Sequence, residues 1–367
     1  MKYEDDSRIV MTLDAGGTNL VFSAIQGNNE VVEPVTLPSN AHDLKLCLNT
    51  ILEGFNQVKK GLPEDPVAIS FAFPGPADYP AGIIGDLGNL PAFRGGVALG
   101  PMLEEKFKLP VFINNDGDLF AYGEAIAGFL PEVNQKLLKL GSYKQYHNLF
   151  GVTLGTGFGG GIVRNGELFL GDNSAGAEIW LMRHRNHETF VEEGASIRAV
   201  QRVYAEEAGL KGSMPPTPKE IFDIAQGRLK GNSQAALKAF DELGKVVGDA
   251  LCNAITLIDG LMVLGGGLTG AHSMFLPQIV SEMNHPISTL SGKKIDRLEV
   301  KVYNLEDEEE FFMFAQGGEK EIVVPGTQRS IRWDPAKRLG VGISRLGTSK
   351  AVALGAYAFA LHNLDRV

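Results

Sequence analysis

Cysteine is nearly missing from this chain of 367 residues: only Cys47 and Cys252 occur, far apart in sequence. A disulfide framework is thereby excluded, and with no basic, apolar and small-residue series at its start the expected compartment is a reducing cytoplasm. Long apolar runs are missing too, since no window approaches the roughly 18 unbroken residues of a membrane span. Positive charge is in deficit, with 34 Lys and Arg against 44 Asp and Glu and a formal charge of −10. Such a surface has no basic field to attract a phosphodiester backbone, so neither nucleic acid nor membrane is expected as a partner. The string G-x-x-x-x-G-K-[ST], a common nucleotide loop, does not occur either.

What is present is ordinary in bulk and unusual in one residue. Hydrophobic residues make up 44% and charged residues 21%, values that place the chain among globular proteins. Its length exceeds the roughly 250–300 residues at which single cores stop growing, so two domains are expected. Glycine, at 45 residues, is well above the usual share and is clustered rather than spread. Arg8–Leu13 reads as a strand, Asp14–Asn19 as a glycine turn and Leu20–Ile25 as a second strand. Phe150–Leu154, Gly155–Gly161 and Ile162–Val163 repeat that device, and Leu261–Leu264 leads into a third cluster, Gly265-Gly-Gly267. Between them lie helical patterns at residues 40–60, Ala98–Phe107, Asp118–Gly128, Ser196–Gly209 and Ala235–Leu257, a mixed α/β alternation. Residues 285–345 read as an insertion with some strands.

Glycine after a strand is ordinary turn chemistry, but it is also what a backbone needs to wrap phosphate oxygens with its N–H groups. Gly155-Thr-Gly-Phe-Gly-Gly160 satisfies G-x-G-x-x-G. The dinucleotide fold requires a helix directly after that string, whereas a strand and hairpin follow here, so that reading fails. Asp14 and Asp116 each end an apolar strand beside a glycine turn, where an acid needs charge or hydrogen bonds to compensate its desolvation. A phosphate-bound magnesium ion would supply that compensation.

These residues resemble the motifs of the ROK family, the repressor and sugar-kinase branch of the actin, Hsp70 and hexokinase superfamily. Leu13-Asp-Ala-Gly-Gly-Thr-Asn19 is similar to its first phosphate motif, Gly155–Gly161 to its second and Gly265-Gly-Gly267 to its adenosine motif. Phe73-Pro-Gly-Pro76 and Gly88-Asn-Leu-Pro91 resemble its sugar-side segments, the stretch from Asn115 to Glu124 its catalytic Asn-Asp segment and Ala351–Ala356 its closing helix. The resemblance spans residues 8–275 and 340–367. It implies two ribonuclease-H-like, actin-like ATPase domains around a cleft, the first made of 1–127 plus 352–367 and the second of 128–351. It also implies a homodimer and transfer of the ATP γ-phosphoryl group to a hexose hydroxyl, usually the 6-hydroxyl. Asp116 would be the general base, and Gly75, Asn89, Asn115, Glu178 and Glu192 would face the sugar. Gly16, Gly17, Thr18, Asn19, Gly155, Thr156, Gly157, Gly265, Gly266 and Gly267 would lie near the nucleotide, with Asp14 holding Mg²⁺ through water.

The chain departs from the family at one place. Many members follow the sugar-side Glu with Ile-Gly-His and a cysteine-rich zinc motif; here Glu178-Ile-Trp-Leu181 puts Leu181 at the His position, and residues 183–192 contain no cysteine. His184 and His187 without thiolate partners read as surface residues, no zinc site is expected, and Trp180, Leu181, Met182 and Phe190 would pack the segment instead. Asp118 is expected to cap the helix after Asp116, the run Glu306–Glu310 to be a solvated face, and Phe311, Phe312 and Phe314 to be core. Two alternatives to a kinase stand beside it. A repressor of the family carries a helix-turn-helix before the first phosphate motif, and only Met1–Ser7 precede the first strand. A non-catalytic sugar binder is suggested by Leu181 and opposed by the intact acids and phosphate turns.

Overall fold

The computed structural model describes residues 2–88, 90–210, 212 and 214–366. The chain begins with β1 (Val10–Ala15), β2 (Asn19–Gln26), β3 (Asn29–Glu30), β4 (Val35–Pro38), α1 (Leu44–Gly61) and β5 (Ala68–Ala72). A small antiparallel sheet of β6 (Ala77–Asp78), β7 (Ile83–Ile84) and β8 (Val97–Ala98) precedes α2 (Leu99–Phe107), β9 (Val111–Asn114), α3 (Asp116–Ile126) and α4 (Phe129–Lys139). After β10 (Leu149–Leu154), β11 (Phe158–Arg164) and β12 (Glu167–Phe169) come α5 (Ile197–Glu207), α6 (Pro218–Ala225), α7 (Ser233–Ile258), β13 (Leu261–Gly265) and α8 (His272–Met283). The remainder holds hairpin β14–β15 (Ile287–Ser288, Lys294–Ile295), β16 (Lys301–Asn304), α9 (Glu308–Gln316), hairpin β17–β18 (Lys320–Val323, Ser330–Trp333), β19 (Arg338–Ile343) and α10 (Thr348–Leu364).

Two six-stranded sheets organise this α/β chain. The first runs β3-β2-β1-β5-β9 with β4 also on β2, and the second runs β12-β11-β10-β13-β19-β16. In both, an antiparallel hairpin (β1–β2, β11–β12) joins parallel neighbours (β1–β5–β9, β10–β13–β19–β16). Alternation along β1 explains its two packed faces: Met11 and Leu13 join Ile51, Phe55 and Phe71 under α1, whereas Val10 joins Tyr357 and Leu361 of α10. Burying each such side chain is worth about 1.5–3 kcal/mol, which makes these two layers the main support of the first sheet.

Two compact units result: Met1–Pro131 with Gly161–Ala177 and Arg345–Val367, and Glu132–Gly160 with Glu178–Ser344. This division differs from one at 127/128 and 351/352, since Gly161–Ala177 lies in the first unit. Ala351 belongs with α3, because the Cα of Gly123 lies so close that a Cβ there would come 1.9 Å from the Ala351 carbonyl. Gly161 joins the first unit for a similar reason, a Cβ at that position lying 2.5 Å from the Gly117 carbonyl. The span 285–345 is also not one insertion. Its β16 and β19 complete the second sheet, and only the two hairpins stand apart as separate two-stranded sheets.

The acidic run at 306–310 is built into the structure rather than simply solvated. Asp307 caps α9 by accepting from the Glu310 N–H at 2.9 Å, while Glu310 and Glu306 accept from the Asn304 and Ile343 N–H groups. Phe314 is core as expected, but Phe312 is half exposed.

Candidate active site

The first glycine turn closes on itself. The Gly16 N–H donates to the Asn19 carbonyl at 3.0 Å, and a Cβ on Gly16 would sit 2.8 Å from that oxygen, so the turn requires glycine there. Gly17 has open space around its missing Cβ, and Thr18 and Asn19 are exposed. Asp14, at the end of β1, is exposed, and among the described residues no hydrogen bond or ion pair engages its carboxylate.

Asn115 and Asp116 follow β9 in the same unit. Asn115, not Asp118, caps α3: its side-chain oxygen accepts from the Gly117 N–H at 2.8 Å, and α3 consequently starts at Asp116, two residues before the expected place. Asp116 accepts from the same N–H at 2.8 Å. Its carboxyl is reachable by water yet set among protein atoms, so desolvation raises its pKa above the ordinary aspartate value, and the negative charge of Asp14 adds to that rise. Hydrogen bonds from the Gly117 and Asp116 backbone act in the opposite sense. Gly75 lies in the loop after β5, exposed, with Tyr79 anchoring that loop through its hydroxyl to the Phe73 carbonyl at 3.0 Å. Asn89, expected to face sugar, lies outside the described residues.

In the second unit the glycine turn is shorter than the sequence suggests, because Phe158–Gly161 already belong to β11. Gly155 donates to the Gly157 carbonyl at 3.0 Å and accepts from the Ile197 N–H at 2.8 Å, leaving Thr156 exposed at the tip. Glu192 reaches this turn. Its carboxylate accepts from the Phe158 N–H at 2.9 Å and from Arg198 at 3.2 Å, and a Cβ on Gly157 would come 2.7 Å from it. Gly265 ends β13, and Gly266 adopts φ +91° with a Cβ position only 2.3 Å from the Leu154 carbonyl, which only glycine tolerates. Gly267 faces open space and starts a short 3₁₀ helix.

Glu178 is exposed and accepts a hydrogen bond from the Trp180 indole; it pairs with neither neighbouring arginine, since Arg183 meets Glu188 and Arg185 meets Glu282. The packing expected around it is only half present. Trp180 and Phe190 meet edge to face at 5.8 Å, but Leu181 is 57% exposed. His184 reverses its expectation: it is buried, with its pKa lowered chiefly by desolvation and further by His187, and its Nδ1 accepts from the Asn186 N–H.

Sequence reasoning passed over Glu124. This carboxylate, fully buried near the end of α3, accepts from the N–H groups of Phe129 at 2.7 Å, Leu346 at 3.1 Å and Arg345 at 3.3 Å. Two signals could have pointed to it: its place at the end of the segment that resembles the catalytic Asn-Asp motif, and a glutamate in an otherwise apolar helical stretch.

Among curated proteins, the chain is 27% identical over 301 residues to a glucokinase of Halalkalibacterium halodurans, covering 73% of this chain and 82% of that one. It is 29% identical over 277 residues to an N-acetyl-D-glucosamine kinase of Vibrio atlanticus, covering 70% and 83%. Among solved structures, a glucokinase from Parabacteroides distasonis superposes with a TM-score of 0.91 at 57% identity over 99% of both chains. The ROK family model matches residues 10–308, and with the two glycine turns, the capped Asn-Asp helix start and these relatives in place, the chain belongs to the ROK family.

Proposed function

We propose that this protein is an ATP-dependent hexose kinase that transfers the γ-phosphoryl group to a sugar hydroxyl, the 6-hydroxyl in the simplest case. Sugar-kinase activity is supported by family membership and by relatives that are glucokinases and an N-acetylglucosamine kinase. The observation that carries the mechanism is Asp116, an acid at the first position of α3 whose pKa is raised toward the range where a base works best. It takes the proton of the attacking hydroxyl as that oxygen bonds to phosphorus, and the ADP oxygen leaves. Asn115, Glu178 and the Gly75 loop are assigned to the sugar, and the three glycine turns to phosphates and nucleotide, where open positions at Gly17, Gly155 and Gly267 leave room for a ligand to approach the backbone; Glu192, which the resemblance also gives to the sugar, has its two oxygens on Phe158 and Arg198. Asp14 suits magnesium: this ion keeps most of its waters and needs only one or two carboxylates besides phosphate, and the Asp14 carboxylate is free to serve. When bound it neutralises charge on the phosphate oxygens. The ribonuclease-H-like, actin-like reading of both sheets, each antiparallel hairpin leading into parallel strands, belongs to this proposal, as does a cytoplasmic homodimer; no helix among the described residues is long and apolar enough to cross a membrane.

The test is a coupled ADP-release screen with Mg·ATP over glucose, mannose, fructose, allose and N-acetylated hexosamines. Turnover with glucose is expected, in line with the 57% identical relative. Absence of turnover with every hexose would overturn the reading.

A further inference from the structure

We propose that Glu124 is a positioning residue of the kinase reaction, its carboxylate fixing the helix that begins at Asp116 to two of the chain segments that lead into the second unit. The proposal rests on the kinase reading above and goes beyond it by adding a residue that touches neither sugar nor nucleotide.

Glu124 lies about two helical turns after Asp116, with no exposed surface. Burying a carboxylate is costly unless hydrogen bonds satisfy it, so a residue kept there has structural consequences. Its Oε2 accepts from the Phe129 N–H, the first of α4, and from Arg345; its Oε1 accepts from Leu346. Phe129 stands just before the chain passes from the first unit to the second at Pro131 and Glu132, and Arg345 just after it returns at Ser344. One side chain therefore holds both connections. The N–H of α4's first residue is also the positive end of that helix, where an anion is favoured.

Gly128 makes room for the carboxylate by having no side chain. A Cβ on Gly128 would lie 2.2 Å from Oε2 and 3.0 Å from the Leu346 side chain. The Arg345 guanidinium covers the Phe129 ring at 5.4 Å, so the two connections also meet through their side chains. Meanwhile α3 and α10 are in backbone contact at two glycines: a Cβ on Gly123 would come 1.9 Å from the Ala351 carbonyl, and one on Gly355 1.9 Å from the Leu119 carbonyl. Any shift of either connection is thus transmitted to α3 and to Asp116 at its start, where a displacement of about 1 Å is enough to lose much of the rate.

Glu124→Gln removes the charge and one acceptor oxygen, while Gly128→Ala displaces the carboxylate from outside without altering it. Both variants and their combination would be measured for thermal midpoint, glucose affinity by calorimetry, kcat in ADP release, and hydrogen exchange at the Phe129, Arg345 and Leu346 amides. Each single variant is expected to fold, to bind glucose within about twofold of the parent and to lose about tenfold in kcat. Because both act on one carboxylate, the double variant should lose no more than the worse single, and all three amides should exchange faster. Unchanged kcat in a folded variant, or multiplying losses in the double, would overturn the proposal, and should Glu124→Gln not fold, Gly128→Ala decides. If the parent phosphorylates no hexose, the kinase reading has failed by itself; joint acceleration of exchange at both connections still supports the positioning, and acceleration at one alone overturns it.

Discussion

The two strand–glycine–strand turns are built alike and treat their carboxylates in opposite ways. In the first, the backbone closes the turn through Gly16 and Asn19, and Ser39 braces it with its hydroxyl on the Gly17 carbonyl at 2.6 Å. Nothing is asked of Asp14, which remains available to a ligand. In the second, Glu192 comes from 34 residues further along the chain to accept the Phe158 N–H, and Arg198 occupies its other oxygen. An acid beside a glycine turn is therefore a ligand group or a brace according to where its lone pairs already go, and residue type does not separate the two.

Asp116 offers the severest test, since it is the acid assigned the proton of the attacking hydroxyl. Asp116→Asn should lower kcat by about 10²–10⁴ with sugar affinity unchanged by calorimetry. Because desolvation raises its pKa, the acidic limb of kcat/KM should lie above the range of an ordinary aspartate. The same shift has a stability sign: the contribution is full below the unfolded-state pKa and is lost as pH rises through the higher folded value, so at neutral pH the Asn variant should melt above the parent. A lower melting temperature would show that Asp116 is a brace after all.

Exchanging the roles of the two turns comes next in size. Glu192→Ala should cost about 1–3 kcal/mol of stability by leaving the Phe158 N–H unpaired, visible in denaturant unfolding. Asp14→Ala should leave the unfolding curve in place and weaken magnesium-dependent nucleotide binding. The reverse pattern would break the comparison. A smaller effect separates the glycines: Gly155→Ala, pointing into open space, should keep the melting temperature while raising KM for ATP, whereas Gly266→Ala, at φ +91° and against the Leu154 carbonyl, should lower stability by about 1–3 kcal/mol. The smallest expected effect is none. A strong zinc chelator should leave melting temperature and, once Mg²⁺ is restored, activity unchanged; stoichiometric zinc by elemental analysis would show that His184 and His187 recruit ligands.

Local pattern was enough for much of this protein. The glycine turns, the strand before Asp116 and the helices α1, α2, α5 and α7 were legible because turn chemistry and 3.6-residue periodicity act over a few neighbours, whereas α4, α8 and α9 were not read. The cap was misjudged by three residues, Asp118 for Asn115, since Asn and Asp cap almost equally well and three of them lie within Asn115–Asp118. Residues 285–345 were misjudged more seriously. Parallel pairing of β19 with both β13 and β16 joins segments dozens of residues apart, and no local signal distinguishes such a strand from one in an insertion.

By itself, then, the sequence determined the α/β class, the three glycine turns and the identity of the acids beside them, all properties set by backbone sterics and by side-chain chemistry within a few residues. Tertiary structure alone decided which acid is free and which is spent. Asp14 is open, Glu192 braces the second turn, Glu306 and Glu310 satisfy backbone donors of the second sheet, and Glu124 holds one departing and one returning segment to α3. The reason is physical: a carboxylate's fate depends on the N–H groups and the water within about 3 Å of it, and those are delivered by parts of the chain that sequence distance does not relate.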